Sequence, residues 1–290
     1  RTELEVATSA GGSGMPVTIA WIDGCWGEPD DLQLPLSDRG LQLADGLFET
    51  ILVLDGAAQL LPEHLARWAA SAELLGMNPP PSQQDLSGLI DEAIVKSDLH
   101  QASGALRLNW SRGSGQGRGI GIANVHQHRF WLTLTPCSTH FQPIKTITSR
   151  LERRNRDSVS SRCKTFAYTA AIQARREAER AGADDALLHN TQGDLCCGTV
   201  ANLLVHRKGA WITPPLSSGC LPGVMRARAI SLGIAIEADV GSNLHSSDQA
   251  LLINSLSCKP IQTHNNQSLT PTASAQELWQ LLLKKGGSNR

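Results

Sequence analysis

The chain has 290 residues, enough for one large domain or two of ordinary size. Hydrophobic residues make up 41% and charged residues 18%, which fits a soluble globular fold and excludes a disordered chain. A net charge of −1 leaves no overall positive field for nucleic acid, and no apolar run reaches the length of a membrane span.

Residues 1–14 are rich in Gly, Ser and Ala, lack the apolar core of a secretion signal, and are expected to form a mobile tail. "VTIAWIDG" reads as a strand closing in a turn at Asp23-Gly24, and "GLFETILVLDGAAQLL" as two strands about a turn at Asp55-Gly56. "PEHLARWAASAELLG" predicts a helix with Pro62 in its first turn and Gly76 at its end. After the break "PPPS", Leu86, Leu89, Ile90 and Ile94 recur at helical spacing. "GALRLNWSRG" and "HRFWLTLTPC" have strand character, so the first half is a mixed α+β unit.

The second half opens with the polar, basic stretch "FQPIKTITSRLERRNRDSVSSRCK", which predicts loop. "FAYTAAIQARREAERAG" is a helix ended by Gly182. Strands follow through "DALLHNTQGDLCCGTVANLLVHRKGAWITP", then a helix in "PGVMRARAISLG", a buried strand in "DQALLINSLSCKPI" and a final helix in "SAQELWQLLLKK". The expected organisation is an N-terminal α+β domain at 15–136, a linker at 137–146 and a C-terminal domain at 147–290.

Seven scattered cysteines, an odd number, point to reduced thiols and a cytoplasmic protein rather than a disulfide framework. No metal-binding spacing is present and there is no nucleophile elbow. The Gly-rich stretch "SRGSGQGRGIG" has three readings: a phosphate cradle, a flexible hairpin loop, or a loop presenting Arg112 or Arg118 to an anionic substrate. Lys164 stands where a basic loop becomes an Ala-rich helix. Neighbouring cations and partial burial favour a neutral, nucleophilic amine, though a solvated basic face explains most of the surrounding arginines.

Seven stretches, taken together and in order, resemble the class IV aminotransferase family, whose members are pyridoxal-phosphate enzymes of fold type IV. They are "PLSDRGLQLADGLFET", "HLARW", "SRGSGQGRG", Lys164 ahead of "AIQARREAERAGADDALL", "GDLCCGTVANLL", "TPPLSSGCLPGVMR" and "INSLSCKPI". Within the family, "SRGSGQGRG" is most like the 4-amino-4-deoxychorismate lyases. The resemblance implies two domains, a small α+β unit and a larger barrel-like α/β unit that binds pyridoxal 5'-phosphate. It also implies a homodimer acting on a small molecule. Lys164 would carry the cofactor covalently and then move protons. Arg67, the backbone N–H groups of Val224 and Met225, and the Ser255 hydroxyl would hold the cofactor phosphate. Arg112 would face a substrate carboxylate.

Two positions depart from the family pattern. Ala167 stands where the family has Asn, and Cys197 stands where it has the glutamate that pairs with the pyridine nitrogen. That carboxylate keeps the nitrogen protonated and the ring a strong electron sink. A buried thiol is expected to have a raised pKa and to lack the charge for this. Amino transfer suffers more than elimination, in which a leaving group departs as the proton is lost. The implied activity is conversion of 4-amino-4-deoxychorismate to 4-aminobenzoate and pyruvate. Branched-chain or D-amino acid transamination, and a fold with weak or lost catalysis, are the alternatives. Strand alternation puts Cys196 on the opposite face from Cys197, as small apolar filler.

Overall fold

The computed structural model describes residues 14–115, 117–122 and 127–284, so nearly all of the expected N-terminal tail lies outside the described residues. The first half builds an antiparallel sheet from β1 (Ile19–Ile22), β2 (Cys25–Gly27), β3 (Gly46–Leu54), β4 (Ala57–Ala58), β5 (Ser103–Ser111) and β6 (Arg129–Pro136). Its strand order is β2-β1-β6-β5-β3-β4. The helices are α1 (Arg39–Leu43), α2 (Leu61–Leu74) and α3 (Gln83–Ser97). Ser82 caps α3 through a reciprocal capping box with Asp85.

The alternation of β3 decides which side does what. Leu47, Ile51 and Val53 join Trp68, Leu86 and Ile90 in the core under α2 and α3. Leu52, of opposite parity, packs instead with Leu204, Val224, Met225 and Trp279 of the second half. The traffic runs both ways, because Cys163 packs into the first core.

The second half contains β7 (Ile144–Arg154), β8 (Asp185–Asn190), β9 (Leu195–Cys197), β10 (Asn202–Arg207), β11 (Ala210–Thr213), β12 (Ala235–Glu237), β13 (Gln249–Asn254), β14 (Ser257–His264) and β15 (Gln267–Ser268). With them run α4 (Thr169–Arg180), α5 (Val224–Ser231) and α6 (Ala275–Leu283). Six strands close into a barrel in the order β10-β13-β14-β7-β8-β9, and the ring is completed by the pair Asn202 and Cys197. The runs "ALL" in β8 and "ALLI" in β13 are buried along their length, as strands covered on both faces require.

The stretch predicted as loop contains the eleven-residue β7, which pairs in parallel with β14 and β8. Its β-branched Ile144 and Thr146 face inward while Lys145 faces water, an alternation hidden in the sequence by the charges that follow. β7 also takes up the last three residues of the expected linker; the sheets are separated by residues 137–143. Among the described residues no helix is long and apolar enough to cross a membrane.

Candidate active site

A cavity of about 720 Å³ lies between the first sheet and the barrel. Lys164, Arg67, Cys197, Val224, Met225 and Ser255 all line it, although they come from five separate parts of the chain.

The lysine segment is sewn to β3. The Phe48 N–H donates to the Lys164 carbonyl at 2.9 Å, and the Phe166 N–H donates to the Gly46 carbonyl at 3.0 Å. Gly46 is required here, since a Cβ at that position would lie 2.1 Å from the Phe166 ring. The amine itself donates to the Tyr168 hydroxyl at 3.0 Å and sits 4.4 Å from the Phe48 ring centroid. Tyr168 is the single tyrosine of the chain and stands just ahead of α4, in non-helical backbone, so no helical spacing from the lysine pointed to it.

At one end of the cavity, Arg67 on α2 holds Glu49 on β3. Its Nε and Nη2 donate to the carboxylate at 2.8 and 2.5 Å, and Nη1 donates to the Pro222 carbonyl at 3.3 Å. His64 Nδ1 lies 2.7 Å from the same carboxylate, and His64 Nε2 lies 3.1 Å from the Ser255 hydroxyl. Burial alone would raise the Glu49 carboxyl, but the Arg67 charge and the bonds from His64 and Arg67 hold it below the usual range. Burial pushes His64 down and outweighs the pull of Glu49, so its ring stays neutral at pH 7.

Beside this network α5 begins without a side-chain cap. Its first N–H groups, from Val224 and Met225, are therefore open to an anion. Gly223 precedes them because a Cβ there would lie 1.9 Å from the Asn202 Oδ1 atom. Asn202 in turn donates from Nδ2 to the Leu221 carbonyl at 2.9 Å.

Cys197 sits in the cavity wall where the barrel closes, 6% exposed. The Cys196 sulfur turns toward Ser218, 3.4 Å from its carbonyl oxygen. The expected upward shift at Cys197 is not found. Hydrogen bonding from Cys196, with a smaller pull from the Arg154 charge, draws it below its ordinary value against the opposing effect of burial. The upward shift falls on Cys196, through its bonds to Cys197 and Cys220 and its burial.

Arg112 does not reach the cavity. Its Nε donates to Asp45 at 2.9 Å, and Nη1 and Nη2 donate to the carbonyls of Gly76 and Leu75 at 2.9 and 3.0 Å. It is 4% exposed, so a substrate carboxylate in this cavity cannot reach its guanidinium. The described residues of the Gly-rich stretch 111–121 likewise lie outside the cavity wall. The arginine that faces the cavity is Arg107 on β5, stacked 3.7 Å over the centroid of the Phe48 ring.

Residues 46–263 match the family described as amino-transferase class IV. The chain belongs to this family. As a class IV aminotransferase it is 32% identical over 216 residues to a putative aminodeoxychorismate lyase of Schizosaccharomyces pombe, covering 72% of this chain and 85% of that protein. It is 27% identical over 213 residues to a putative branched-chain-amino-acid aminotransferase of Methanocaldococcus jannaschii, covering 73% of each. The PLP-bound structure of a hypothetical aminotransferase from Mycobacterium tuberculosis superposes with a TM-score of 0.77 at 22% identity, over 94% of this chain and all of that one. The architecture is that of the fold type IV enzymes, with the barrel forming the larger unit.

Proposed function

We propose that this class IV enzyme is a pyridoxal-phosphate-dependent lyase that converts 4-amino-4-deoxychorismate to 4-aminobenzoate and pyruvate, a step of folate synthesis. The observation that carries the reading is the charge of the cavity. Arg107, Arg153, Arg154 and Lys164 line it, with Arg67 already paired to Glu49, against one lining carboxylate, Glu152, among the described residues. The substrate brings two carboxylates and one amine, which suits a wall of this sign. The 32% identity to the fission-yeast protein supports the same reading.

The residues present fit the cofactor. An uncapped helix end and Arg67 form an anion site at one end, and a lysine amine opens onto the same space. Bound pyridoxal phosphate supplies an electron sink conjugated to the substrate amine. Val224, Met225, Arg67 and Ser255 hold the phosphate, with Glu49 fixing the Arg67 guanidinium from behind. Arg107 holds a substrate carboxylate in the role first expected of Arg112. Lys164 Nζ takes the proton from the ring carbon that bears the amine, and Tyr168 orients that nitrogen. Departure of the enolpyruvyl group as pyruvate then aromatises the ring. The proposed setting is the cytoplasm, on the odd number and scattered spacing of the seven cysteines. The working unit is a homodimer, to be tested by light scattering against the 31.1 kDa chain mass.

The test is to load the purified protein with pyridoxal phosphate, add 4-amino-4-deoxychorismate, and follow pyruvate and 4-aminobenzoate together. Stoichiometric formation of both supports the lyase. Keto-acid-dependent amino transfer with no 4-aminobenzoate would instead select the transaminase reading, which the Methanocaldococcus relative favours. Neither activity would leave a fold that has lost its catalysis.

A further inference from the structure

The wall where the family carries its glutamate is made of different chemistry in this chain. Cys197 occupies it, and the fixed charge beside it is a cation. Arg154, the last residue of β7, lines the same cavity. Its Nε donates to the Gly219 carbonyl at 3.0 Å and its Nη2 to the Ser161 carbonyl at 2.6 Å, so the guanidinium is clamped. Among the described residues, Nη1 has no protein acceptor.

The nearby carboxylates do not cancel this charge. Asp185 is matched by Arg175 at 2.9 Å and accepts from the Thr199 hydroxyl at 2.7 Å. Glu152 shares the inward face of β7 with Arg154 but forms no ion pair with it. The other titratable neighbours of Cys197 are Cys196, pushed up by its bonds to Cys197 and Cys220 and by burial, and Cys220, drawn down to about 6 chiefly by its bond to Cys196, with the Arg226 charge, ahead of that of Arg154, helping to hold it there.

We infer that Cys197 and Arg154 hold the ring nitrogen of the cofactor unprotonated, and that this confines the enzyme to amines carrying a leaving group on the adjacent carbon. This rests on the reading that the cavity binds pyridoxal phosphate. A thiol and a guanidinium both offer hydrogen-bond donors, which stabilise a bare nitrogen lone pair. A positive charge in a buried wall opposes a second positive charge on the nitrogen. Ionisation of Cys197 removes its donor and leaves Arg154 as the donor in that wall, and the thiolate charge is matched by the same guanidinium, so the pair presents no net negative charge.

The consequence is a weakened electron sink. Amino transfer needs the negative charge left by proton removal to persist until a different carbon is protonated. Elimination does not, because the bond to the leaving group breaks as the C–H bond is broken and its electron pair departs with that group. In 4-amino-4-deoxychorismate the enolpyruvyl oxygen sits on the carbon next to the amine-bearing one. Alanine, valine and the other amino acids without such a group are poor substrates.

The test uses holoenzyme loaded with cofactor that is ¹⁵N-labelled in the ring. The wild-type protein is expected to give the neutral-pyridine ¹⁵N shift, as is Cys197→Ser. Cys197→Glu is expected to move it to the pyridinium shift and to raise keto-acid-dependent amino transfer. A pyridinium shift in the wild type overturns the inference, whichever acid holds the proton. If that protein still forms 4-aminobenzoate, the lyase reading stands. A neutral shift retained in Cys197→Glu also overturns it, by removing Cys197 from the nitrogen. Failure of the wild type to take up cofactor overturns both readings.

Discussion

Replacing Glu49 by Gln removes one charge and almost no volume. Glu49 is 1% exposed and accepts from three donors: His64 Nδ1 at 2.7 Å, Arg67 Nε at 2.8 Å and Arg67 Nη2 at 2.5 Å. Glutamine offers one oxygen for these three, and its amide N–H groups point at least one donor at another. Arg67 is then a partly buried cation without its counter-charge. Breaking a buried pair in this way costs about 3–5 kcal/mol. Spread over a chain of 290 residues, that lowers Tm by about 5–8 °C. Urea denaturation of apoprotein and circular dichroism on heating measure both. A loss under about 1 kcal/mol would refute the argument, since it would mean that water or Pro222 already satisfies Arg67. The same variant separates stability from binding, because an Arg67 freed from Glu49 faces an incoming phosphate with its full charge.

Three further outcomes are expected. His264 lies between the hydroxyls of Thr146 and Thr148, and burial pushes its pKa from 6.5 down to about 4. The lowered value means that the unfolded chain takes up the proton first, so this stability is present above pH 6.5 and is lost as pH falls toward 4. Urea titration should show a loss of about 2 kcal/mol between pH 7 and pH 5 that His264→Gln abolishes; an unchanged slope counts against the burial argument. Gly223→Ala places a methyl on Asn202 Oδ1 and displaces the start of α5, weakening cofactor binding about tenfold or more in a fluorescence titration. An unaltered Kd would remove α5 from the phosphate site. Arg112→Met should destabilise the fold by about 3 kcal/mol or more and leave KM for substrate unchanged, whereas Arg107→Met should raise KM.

Much of the site was legible because its chemistry is carried by local signals. A lysine before an Ala-rich helix, "HLARW" and "PGVMR" each name a residue that reaches the cavity. The arginine of the first sheet was misread for a reason of parity. Arg107 and Arg112 are five residues apart, an odd number, so extended backbone sends them to opposite sides. Arg107 pairs in register with Thr50, another cavity residue, while Arg112 lies just past the end of β5 and turns to Asp45. Spacing within one motif cannot say which side holds the cavity; that depends on how β3 and β5 pair. Glu49 and His64 were hidden for a similar reason, since one is on a strand and the other on a helix fifteen residues later. The lowering at Cys197 comes first from its neighbour Cys196, but the Arg154 charge that adds to it stands on β7, distant in sequence, and no local reading of adjacent cysteines supplies that part.

The stitching of the lysine segment to β3 has a consequence for how the protein can be divided. Thr165 bridges to Leu47, so the Lys164 amine rides on the first sheet although its residue belongs to the second half of the chain. The start of α5 and Cys197 belong to the second half, and Arg67 reaches them from α2 of the first. The two halves are therefore jaws of one vice, and the distance between the Lys164 amine and Cys197 is set by the seam between them. A cut at residues 137–143 should yield pieces that are inactive singly. Any slow rocking across the seam would open and close the distance between the amine and its target, making turnover sensitive to viscosity.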